Sequence, residues 1–299
     1  MRNVKNKILT LSDLGAKSLE AVIARAVVLK KGKKPKPVLK GKVLGLIFEK
    51  ESTRTRVSFE VAALRLGGNA VYLGSNSSQL SRGETHADTA RVLSRYLDAL
   101  VLRGNKHRDL EEMARHAEVP VINGLTDSFH PCQVMADLMT ISEKRGDVKK
   151  LKIAYIGDGN NMANTWIEAA FLLPFSLAVA SPKNFWPDPA LLQRAAGNSR
   201  IRMTDSPEEA VSGADVVNTD TWFSMGQEVS PAKRQAFAGF QVNSSLLKKA
   251  ANKAMVLHCL PAHRGEEITD EVIDGPQSAV FDQAENRLWV QMALLEMIL

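Results

Sequence analysis

Residues 41–60, GKVLGLIFEKESTRTRVSFE, pass from an almost unbroken apolar run through a short polar segment into a helix-like pattern. The apolar run 43–48 predicts a buried strand, and residues 53–66 predict the helix that follows it. Ser52 stands where the N-cap of that helix is expected. A strand that is apolar on both faces and leads into a helix is typical of a parallel sheet covered by helices. We therefore expect an α/β fold.

The same alternation occurs in two series along the chain. The predicted strands are 43–48, 69–74, 99–103 and 119–123 in the first series, and 151–157, 176–181, 201–205, 214–220 and 254–260 in the second. The predicted helices are 53–66, 85–96, 108–116, 130–146 and the apolar tail 285–299. Two such series imply two doubly wound parallel-sheet domains, and helix 130–146 would join them.

The composition excludes several classes of protein. The chain has 299 residues, of which 44% are apolar, and no apolar run reaches the roughly 20 residues that span a bilayer. The N-terminus lacks the apolar core of a signal peptide, and two cysteines, Cys132 and Cys259, make no disulfide framework. We therefore expect a cytoplasmic protein without membrane contact. The lysine-rich run 30–42 is short and lacks aromatic residues, so we interpret it as a solvated linker and expect no nucleic-acid partner.

The polar segment after the first strand has the properties of an anion site. Helix N-termini present outward-pointing N–H groups, and the helix dipole favours an anion there. Ser52, Thr53 and Thr55 add hydroxyl groups, while Arg54 and Arg56 add guanidinium groups suited to phosphate. The alternative is a capped helix with two surface arginines. The position at a strand end favours the anion site, because open α/β sheets bind ligands beyond the carboxyl ends of their strands.

Four motifs, in this order, resemble those of the aspartate and ornithine carbamoyltransferase family. They are ESTRTRVSFE (51–60), HPCQ (130–133), DTWFSMGQE (220–228) and HCLP (258–261), and the similarity runs over essentially the whole chain. The third and fourth are similar to the ornithine enzymes. The resemblance implies transfer of the carbamoyl group from carbamoyl phosphate to the δ-amino group of L-ornithine. The products would be L-citrulline and phosphate, a step of arginine biosynthesis.

The resemblance also implies which residues hold carbamoyl phosphate. They are Ser52, Thr53, Arg54, Thr55, Gln79, Arg103, His130, Gln133, Cys259, Leu260 and Arg287. Within this set, Arg54 and Arg103 would contact the phosphate, and Gln133 would hold the carbamoyl amide. His130 would donate to the carbonyl oxygen, where negative charge develops in the transition state. Cys132 fills the variable position of HPCQ and is expected only to pack.

A second set of residues would bind ornithine and accept its proton. Asp220 and Ser224 suit the α-ammonium, and the backbone of Met225 together with Asn160 or Asn161 suits the carboxylate. The amine must attack as the free base, and Cys259 with Asp220 is the pair that the resemblance implies for this task. The catalytic residues would thus be Cys259, Asp220, His130 and Arg54.

Domain roles and assembly also come from the resemblance. Residues 1–133 would form a carbamoyl phosphate-binding domain onto which helix 286–299 packs back, and residues 134–285 would form an ornithine-binding domain. The loop that carries Gln79 would reach into a neighbouring subunit, which implies a homotrimer. The reaction needs no cofactor or metal, and the sequence has no His/Cys/Asp spacing typical of a metal site.

Other functions compete with this interpretation. AYIGDGNN (154–161) resembles a dinucleotide fingerprint, but Met162 stands where the third glycine belongs, and no acidic residue ends the strand 176–181. A catalytically silent protein of the same fold is a second alternative, although every matched position is intact. Sister enzymes that carbamoylate aspartate, putrescine or an N-acylated ornithine are closer rivals. The S-M-G motif argues most strongly against aspartate.

Overall fold

The structure, a computed structural model, describes residues 7–74, 78–223 and 230–299. The chain forms two compact units, of which unit 1 comprises Met1–Met139 with Glu285–Leu299 and unit 2 comprises Thr140–Ala284. Helices α5 (Pro131–Arg145) and α12 (Val280–Ile298) each contain a point at which the chain passes from one unit to the other. The predicted fold class, with two parallel-sheet domains joined by helices, is confirmed.

Unit 1 is built on a five-stranded parallel sheet with the order β1-β5-β4-β2-β3 among the described residues. Its strands are β1 (Lys7–Ile8), β2 (Val43–Phe48), β3 (Asn69–Gly74), β4 (Ala99–Arg103) and β5 (Val121–Leu125). Its other helices are α1 (Gly15–Lys30), α2 (Thr53–Arg65), α3 (His86–Leu93) and α4 (His107–His116), and a 3₁₀ turn spans Gln79–Arg82. Because β2 and β4 lie inside the sheet and are covered by helices, their side chains are almost all buried.

Unit 2 repeats the architecture with the strand order β10-β9-β6-β7-β8, again all parallel. Its strands are β6 (Lys152–Ile156), β7 (Ser176–Ala180), β8 (Ile201–Thr204), β9 (Val216–Thr219) and β10 (Met255–His258). The helices that lie wholly in this unit are α6 (Asn161–Leu172), α7 (Pro189–Ala195), α8 (Pro207–Val211), α9 (Pro231–Ala236), α10 (Ser244–Leu247) and α11 (Asp270–Ile273). A core of buried apolar residues, including Val217, Val256 and Phe237, packs between the sheet and these helices.

Several predicted boundaries need correction. The strand predicted at 119–123 runs from Val121 to Leu125, because it starts only after Pro120, which has no N–H to donate to the sheet. The tail helix predicted at 285–299 begins earlier, at Val280, and the strands predicted at 214–220 and 254–260 are shorter at both ends. The two-residue strand β1 was not predicted, since so short a segment carries no periodicity.

None of the helices in the described ranges combines the length and apolar composition needed to cross a bilayer.

Candidate active site

The first group of predicted site residues lies at the carboxyl edge of three neighbouring strands of unit 1, β2, β4 and β5. Ser52 follows β2 and caps α2, with its Oγ accepting a hydrogen bond from Thr55 N at 3.3 Å. Arg103 is the last residue of β4 and is buried. His130 lies beyond β5, directly before Pro131 opens α5. The predicted N-cap is therefore confirmed, and these residues meet at one edge of the sheet because parallel strands end together there.

The N-terminus of α2 presents the N–H groups of its first turn beyond the edge of the sheet. Arg54 lies in that turn and is half-buried. Arg56 is not available to the predicted anion site. Its guanidinium stacks on the ring of Tyr72, 3.9 Å from the centroid, and pairs with Glu60 at 2.9 Å. The sequence suggested two arginines for the anion, and the structure gives the second one a place on the helix surface.

Arg287 of α12 joins the predicted residues into one buried cluster. Its side chain is 3% exposed, and its guanidinium donates from Nη2 to Thr55 Oγ1 at 2.9 Å and from Nη1 to Gln133 Oε1 at 2.8 Å. Nη1 also lies 3.5 Å from His130 Nε2. Gln133 in turn donates from Nε2 to Asp137 at 2.9 Å. The planar fork thus fixes side chains from two other helices and from the segment before α5.

The environment of His130 keeps its imidazole neutral. Burial lowers the pKa of His130 well below its ordinary value, and the charges of Arg287 and Arg103 lower that pKa further. Because a guanidinium can only donate, the nitrogen facing Arg287, Nε2, is the acceptor in the neutral ring. The proton is therefore on Nδ1, which is a buried atom.

Two other residues of unit 1 were named from the sequence, Gln79 as a ligand contact and Cys132 as a packing residue. Gln79 is exposed and opens the 3₁₀ turn Gln79–Arg82. Cys132 is fully buried, its thiol donates to Asn123 O at 3.5 Å, and burial raises the pKa of this thiol to about 11. The expectation that Cys132 only packs agrees with this setting, because so buried a thiol is not a nucleophile at neutral pH.

The second group lies at the carboxyl edge of three neighbouring strands of unit 2, β6, β9 and β10. Asp220 follows β9 and Cys259 follows β10, and the Cys259 thiol donates to Asp220 Oδ1 at 2.9 Å. Thr221 N donates to the same oxygen at 2.7 Å. Asn160 follows β6, and its Nδ2 donates to Asp220 Oδ2 at 2.9 Å. Both carboxylate oxygens of Asp220 are thus held by donors from the protein.

Asn160 and Asn161, which the sequence left as equal candidates, occupy different positions. Asn160 is the N-cap of α6, and its Oδ1 accepts from Met162 N at 2.9 Å. Asn161 is the first residue of α6 and is half-buried. Ser224 and Met225, the remaining predicted residues, lie outside the described residues.

Three side chains beside this group, Tyr155, Asp158 and Lys233, were not predicted as site residues from the sequence. Tyr155, on β6, donates its hydroxyl to Asp158 O at 3.0 Å or to Asn160 Oδ1 at 3.1 Å. Lys233 forms a buried ion pair with Asp158 at 2.8 Å, although burial still raises the pKa of Asp158 above its ordinary value. In unit 1, Asp137 was also missed, and its spacing of four residues from Gln133 in a helix was the available signal. Tyr155 gave no such signal, because it belongs to an apolar strand.

The HCLP motif is supported by a second buried pair. His258 and Glu267 are fully buried and in contact, with 3.0 Å between Nε2 and Oε1. Leu260 N donates to His258 Nδ1 at 2.9 Å, and Leu260 has a φ of 55°, a region that is strained for a side chain of this size. These contacts fix the path of the backbone beside Cys259.

The same contacts argue against a metal ion at this edge. Asp220, His258 and Cys259 bring potential ligand atoms within 4.8 Å of one another. However, His258 Nδ1 already accepts from Leu260 N, so Nε2 carries the proton and donates it to Glu267. Neither ring nitrogen has a lone pair to offer, and the group does not fit a metal.

The dinucleotide alternative is also disfavoured by geometry. A Cβ added to Gly159 would lie 2.3 Å from the backbone of residues 185–187. In a dinucleotide-binding turn, a glycine at this position lets the backbone approach the pyrophosphate. Here the chain's own segment occupies the space that Gly159 leaves open.

Comparisons with known proteins identify relatives of both units. The sequence profile described as "Aspartate/ornithine carbamoyltransferase, carbamoyl-P binding domain" matches residues 6–143, and the one described as "Aspartate/ornithine carbamoyltransferase, Asp/Orn binding domain" matches residues 149–298. A protein of Syntrophus aciditrophicus named ornithine carbamoyltransferase is 50% identical over 99% of this chain and 100% of its own length. One of Nitrosococcus oceani with the same name is 53% identical over 97% of this chain and 96% of its own length. The solved structure of ornithine carbamoyltransferase from Pyrococcus furiosus is 48% identical, has a TM-score of 0.93, and is matched over 98% of this chain and 97% of that one.

Proposed function

Because the chain belongs to the aspartate/ornithine carbamoyltransferase family, we propose that it transfers the carbamoyl group of carbamoyl phosphate to the δ-amino group of L-ornithine. The products are L-citrulline and phosphate. The observation that carries the proposal is the common name of the relatives, ornithine carbamoyltransferase, at about half identity over nearly the full length of both chains. The intact motifs at residues 51–60, 130–133 and 258–261 agree with it.

We propose that unit 1 holds carbamoyl phosphate at the N-terminus of α2. The N–H groups of Thr53 and Arg54, the hydroxyl of Thr53 and the guanidinium of Arg54 offer donors to the phosphate, and the Ser52 hydroxyl turns to it from Thr55 Oγ1, 3.1 Å away. Arg103, buried at the end of β4, contributes a second charge. This arrangement stabilises the phosphate as it leaves, because the donors are fixed before the reaction and the charge on the leaving oxygen grows.

In this proposal His130 polarises the carbamoyl carbonyl. Its neutral imidazole carries a proton on Nδ1, as the contact of Nε2 with Arg287 requires. A neutral imidazole can donate a hydrogen bond to the developing oxyanion while it keeps its own proton. Gln133 and Arg287 are held to each other at 2.8 Å and offer the carbamoyl group a preorganised polar surface.

Unit 2 supplies the acceptor's partners. We assign Asp220 to the α-ammonium of ornithine, and Asn160 or Asn161 with the S-M-G segment to its carboxylate. The δ-amine must lose a proton before or during attack on the carbonyl carbon. The Cys259–Asp220 pair shares one proton across 2.9 Å and is the group that we assign to receive it.

We also propose a homotrimer as the working form. On the outward face of α2, Val57 is 49% exposed and Leu64 is 61% exposed. The half-buried Val61 lies between them, one helical turn from each. The adjacent edge strand β3 exposes Val71. An apolar surface beside an open strand edge is typical of a protein–protein contact. In this trimer, Gln79 is assigned to the site of a neighbouring subunit. Leu64→Glu should convert trimers to smaller species, which size-exclusion chromatography with light scattering would detect.

A cytoplasmic location is part of the same proposal. Neither Cys132 nor Cys259 is disulfide-bonded, and the proposed role of Cys259 requires a reduced thiol.

An acceptor panel tests the assignment of the substrate. Purified protein is assayed with carbamoyl phosphate and either L-ornithine, putrescine, N-acetyl-L-ornithine or L-aspartate, and kcat/KM is measured for each acceptor. We expect at least about 10³-fold preference for L-ornithine over putrescine, because a site with polar groups committed to a carboxylate leaves them unpaired when it is missing. Equal or better use of putrescine or the N-acylated acceptor would favour a sister enzyme.

A further inference from the structure

We propose that Asn160 is a positioning residue that fixes the carboxylate of Asp220, and that Tyr155 holds the Asn160 amide in the orientation this requires. The inference rests on the proposed function, because that proposal assigns Asp220 to the α-ammonium of ornithine and, together with Cys259, to the proton of the δ-amine. It also separates two asparagines that the sequence leaves equivalent, since Asn160 then acts through Asp220 and not as a ligand of the amino acid.

The orientation of the Asn160 amide follows from its place before α6. A residue at an N-cap uses an oxygen to accept from the first free N–H groups of the helix. Asn160 Oδ1 accepts from Met162 N at 2.9 Å and lies 3.5 Å from Ala163 N. The oxygen end is thereby assigned, and the nitrogen end, Nδ2, must be the atom 2.9 Å from Asp220 Oδ2.

The hydroxyl of Tyr155 supports this orientation of the Asn160 amide. Its side chain is fully buried, and its hydroxyl lies 3.1 Å from Asn160 Oδ1. Burial raises the pKa of Tyr155 well above its ordinary value, and the charges of Asp220 and Asp158 raise it further, so the hydroxyl remains a donor throughout the working pH range. When this hydroxyl donates to Asn160 and not to Asp158 O, which lies 3.0 Å away, its partner is the amide oxygen, because the amide nitrogen can only donate.

The consequence for Asp220 is a carboxylate held from both sides. Thr221 N and the Cys259 thiol donate to Oδ1, and within the described parts of the chain the donor to Oδ2 is Asn160. Without Asn160, the carboxylate loses the contact that opposes rotation about its Cβ–Cγ bond. The side chain of Asn160 is engaged at both ends in this task, whereas Asn161 starts the helix one residue later.

A double-mutant cycle tests the coupling. Asn160→Ser retains a good N-cap but is too short to reach Asp220, and Asp220→Asn removes the charge that Asn160 would position. Asn243→Ser is the matched control, because Asn243 caps α10 through the same kind of contact, with Leu246 N at 3.0 Å, while its amide nitrogen contacts Gln241 and not Asp220. Thermal stability should fall similarly in the two serine variants.

Two readouts are taken on the wild type, both single variants and the double variant. One is kcat/KM for L-ornithine, which Asn160→Ser should lower by about 10- to 100-fold in the wild-type background and by less than about twofold when Asp220 is already Asn. The other is the rate at which iodoacetamide alkylates Cys259 without substrates, which should change at least about twofold and again only when Asp220 is present. Tyr155→Phe should show smaller effects with the same dependence on Asp220.

The two readouts keep the outcomes distinct. Coupling in the alkylation rate without citrulline formation by the wild type would refute the proposed function and support the positioning role. Citrulline formation with equal losses in both backgrounds would overturn the positioning role, because Asn160 would then act on the substrate or only on stability. Wild-type kinetics and wild-type alkylation in Asn160→Ser would also overturn it.

Discussion

Replacement of Arg287 by Met should damage both the stability of unit 1 and its proposed phosphate-side chemistry. The substitution keeps most of the side-chain length and removes the guanidinium that contacts Thr55, Gln133 and His130. Thr55 Oγ1 retains a donor, because Ser52 Oγ lies 3.1 Å away. Gln133 Oε1 instead loses the donor at 2.8 Å, within a side chain that is 1% exposed.

The expected loss of stability follows from this difference between Thr55 and Gln133. A buried acceptor left without its donor costs about 1–3 kcal/mol, and release of the buried guanidinium from its own desolvation offsets part of that. We expect the free energy of unfolding to fall by about 1–3 kcal/mol in urea titrations. The kcat/KM for carbamoyl phosphate should fall about 10²- to 10³-fold, because preorganised donors are lost beside the developing charge. The pKa of His130 should rise toward its ordinary value, as NMR titration of the imidazole would show.

Arg108→Met is the control, since Arg108 lies on α4 with its side chain 84% exposed, and surface changes of this kind usually stay within about 0.5 kcal/mol. If Arg287→Met matches this control in both the free energy of unfolding and kcat/KM, Arg287 neither stabilises the buried cluster nor serves the proposed site. A loss of stability with unchanged kinetics would retain the buried cluster and remove Arg287 from the site.

Three further predictions follow from named residues. The pKa of His130 is depressed in the folded protein, so its contribution to stability is present above about pH 6.5 and is lost as the pH falls toward the folded-state pKa. Between pH 7 and 5 the free energy of unfolding of the wild type should therefore fall more steeply than that of His130→Asn, by up to about 1.4 kcal/mol per pH unit. Parallel curves for the two proteins would contradict this. Arg54→Ala should fold normally and lose roughly 10²- to 10⁴-fold in kcat/KM, while Arg108→Ala retains wild-type turnover; a fully active Arg54→Ala would exclude the phosphate site at α2. Arg54→Ala chains mixed with Gln79→Ala chains should regain activity after subunit exchange, and verified hybrid trimers without recovery would show that each site is built within one chain.

The positions of most candidate site residues could be predicted from the sequence, for a simple physical reason. Parallel strands end at one edge of a sheet, so polar residues that follow apolar runs, such as Ser52, Arg103 and Asp220, were expected to meet other site residues there. The N-cap at Ser52 was predictable because it depends only on neighbouring residues. The start of α12 was less accurate, because tertiary packing decides where a helix begins, whereas the late start of β5 had a local signal in Pro120.

The contacts that sequence could not give are those between distant residues of ordinary types. Arg287 and Thr55 are 232 positions apart, and nothing local indicates that a tail-helix arginine donates to a capped helix near the N-terminus. Tyr155 belongs to an apolar strand, so its hydroxyl contacts have no periodic signal. The difference between Asn160 and Asn161 depends on where α6 begins, to a precision of one residue.

The position of the new bond is the most direct test of the central claim. Carbamoyl phosphate labelled with ¹³C is incubated with the protein and L-ornithine, and the product is followed by NMR. We expect a single labelled ureido carbon that couples to the δ-methylene protons, together with one equivalent of phosphate per citrulline formed. Label on the α-nitrogen, or consumption of carbamoyl phosphate without any ureido product, would contradict it.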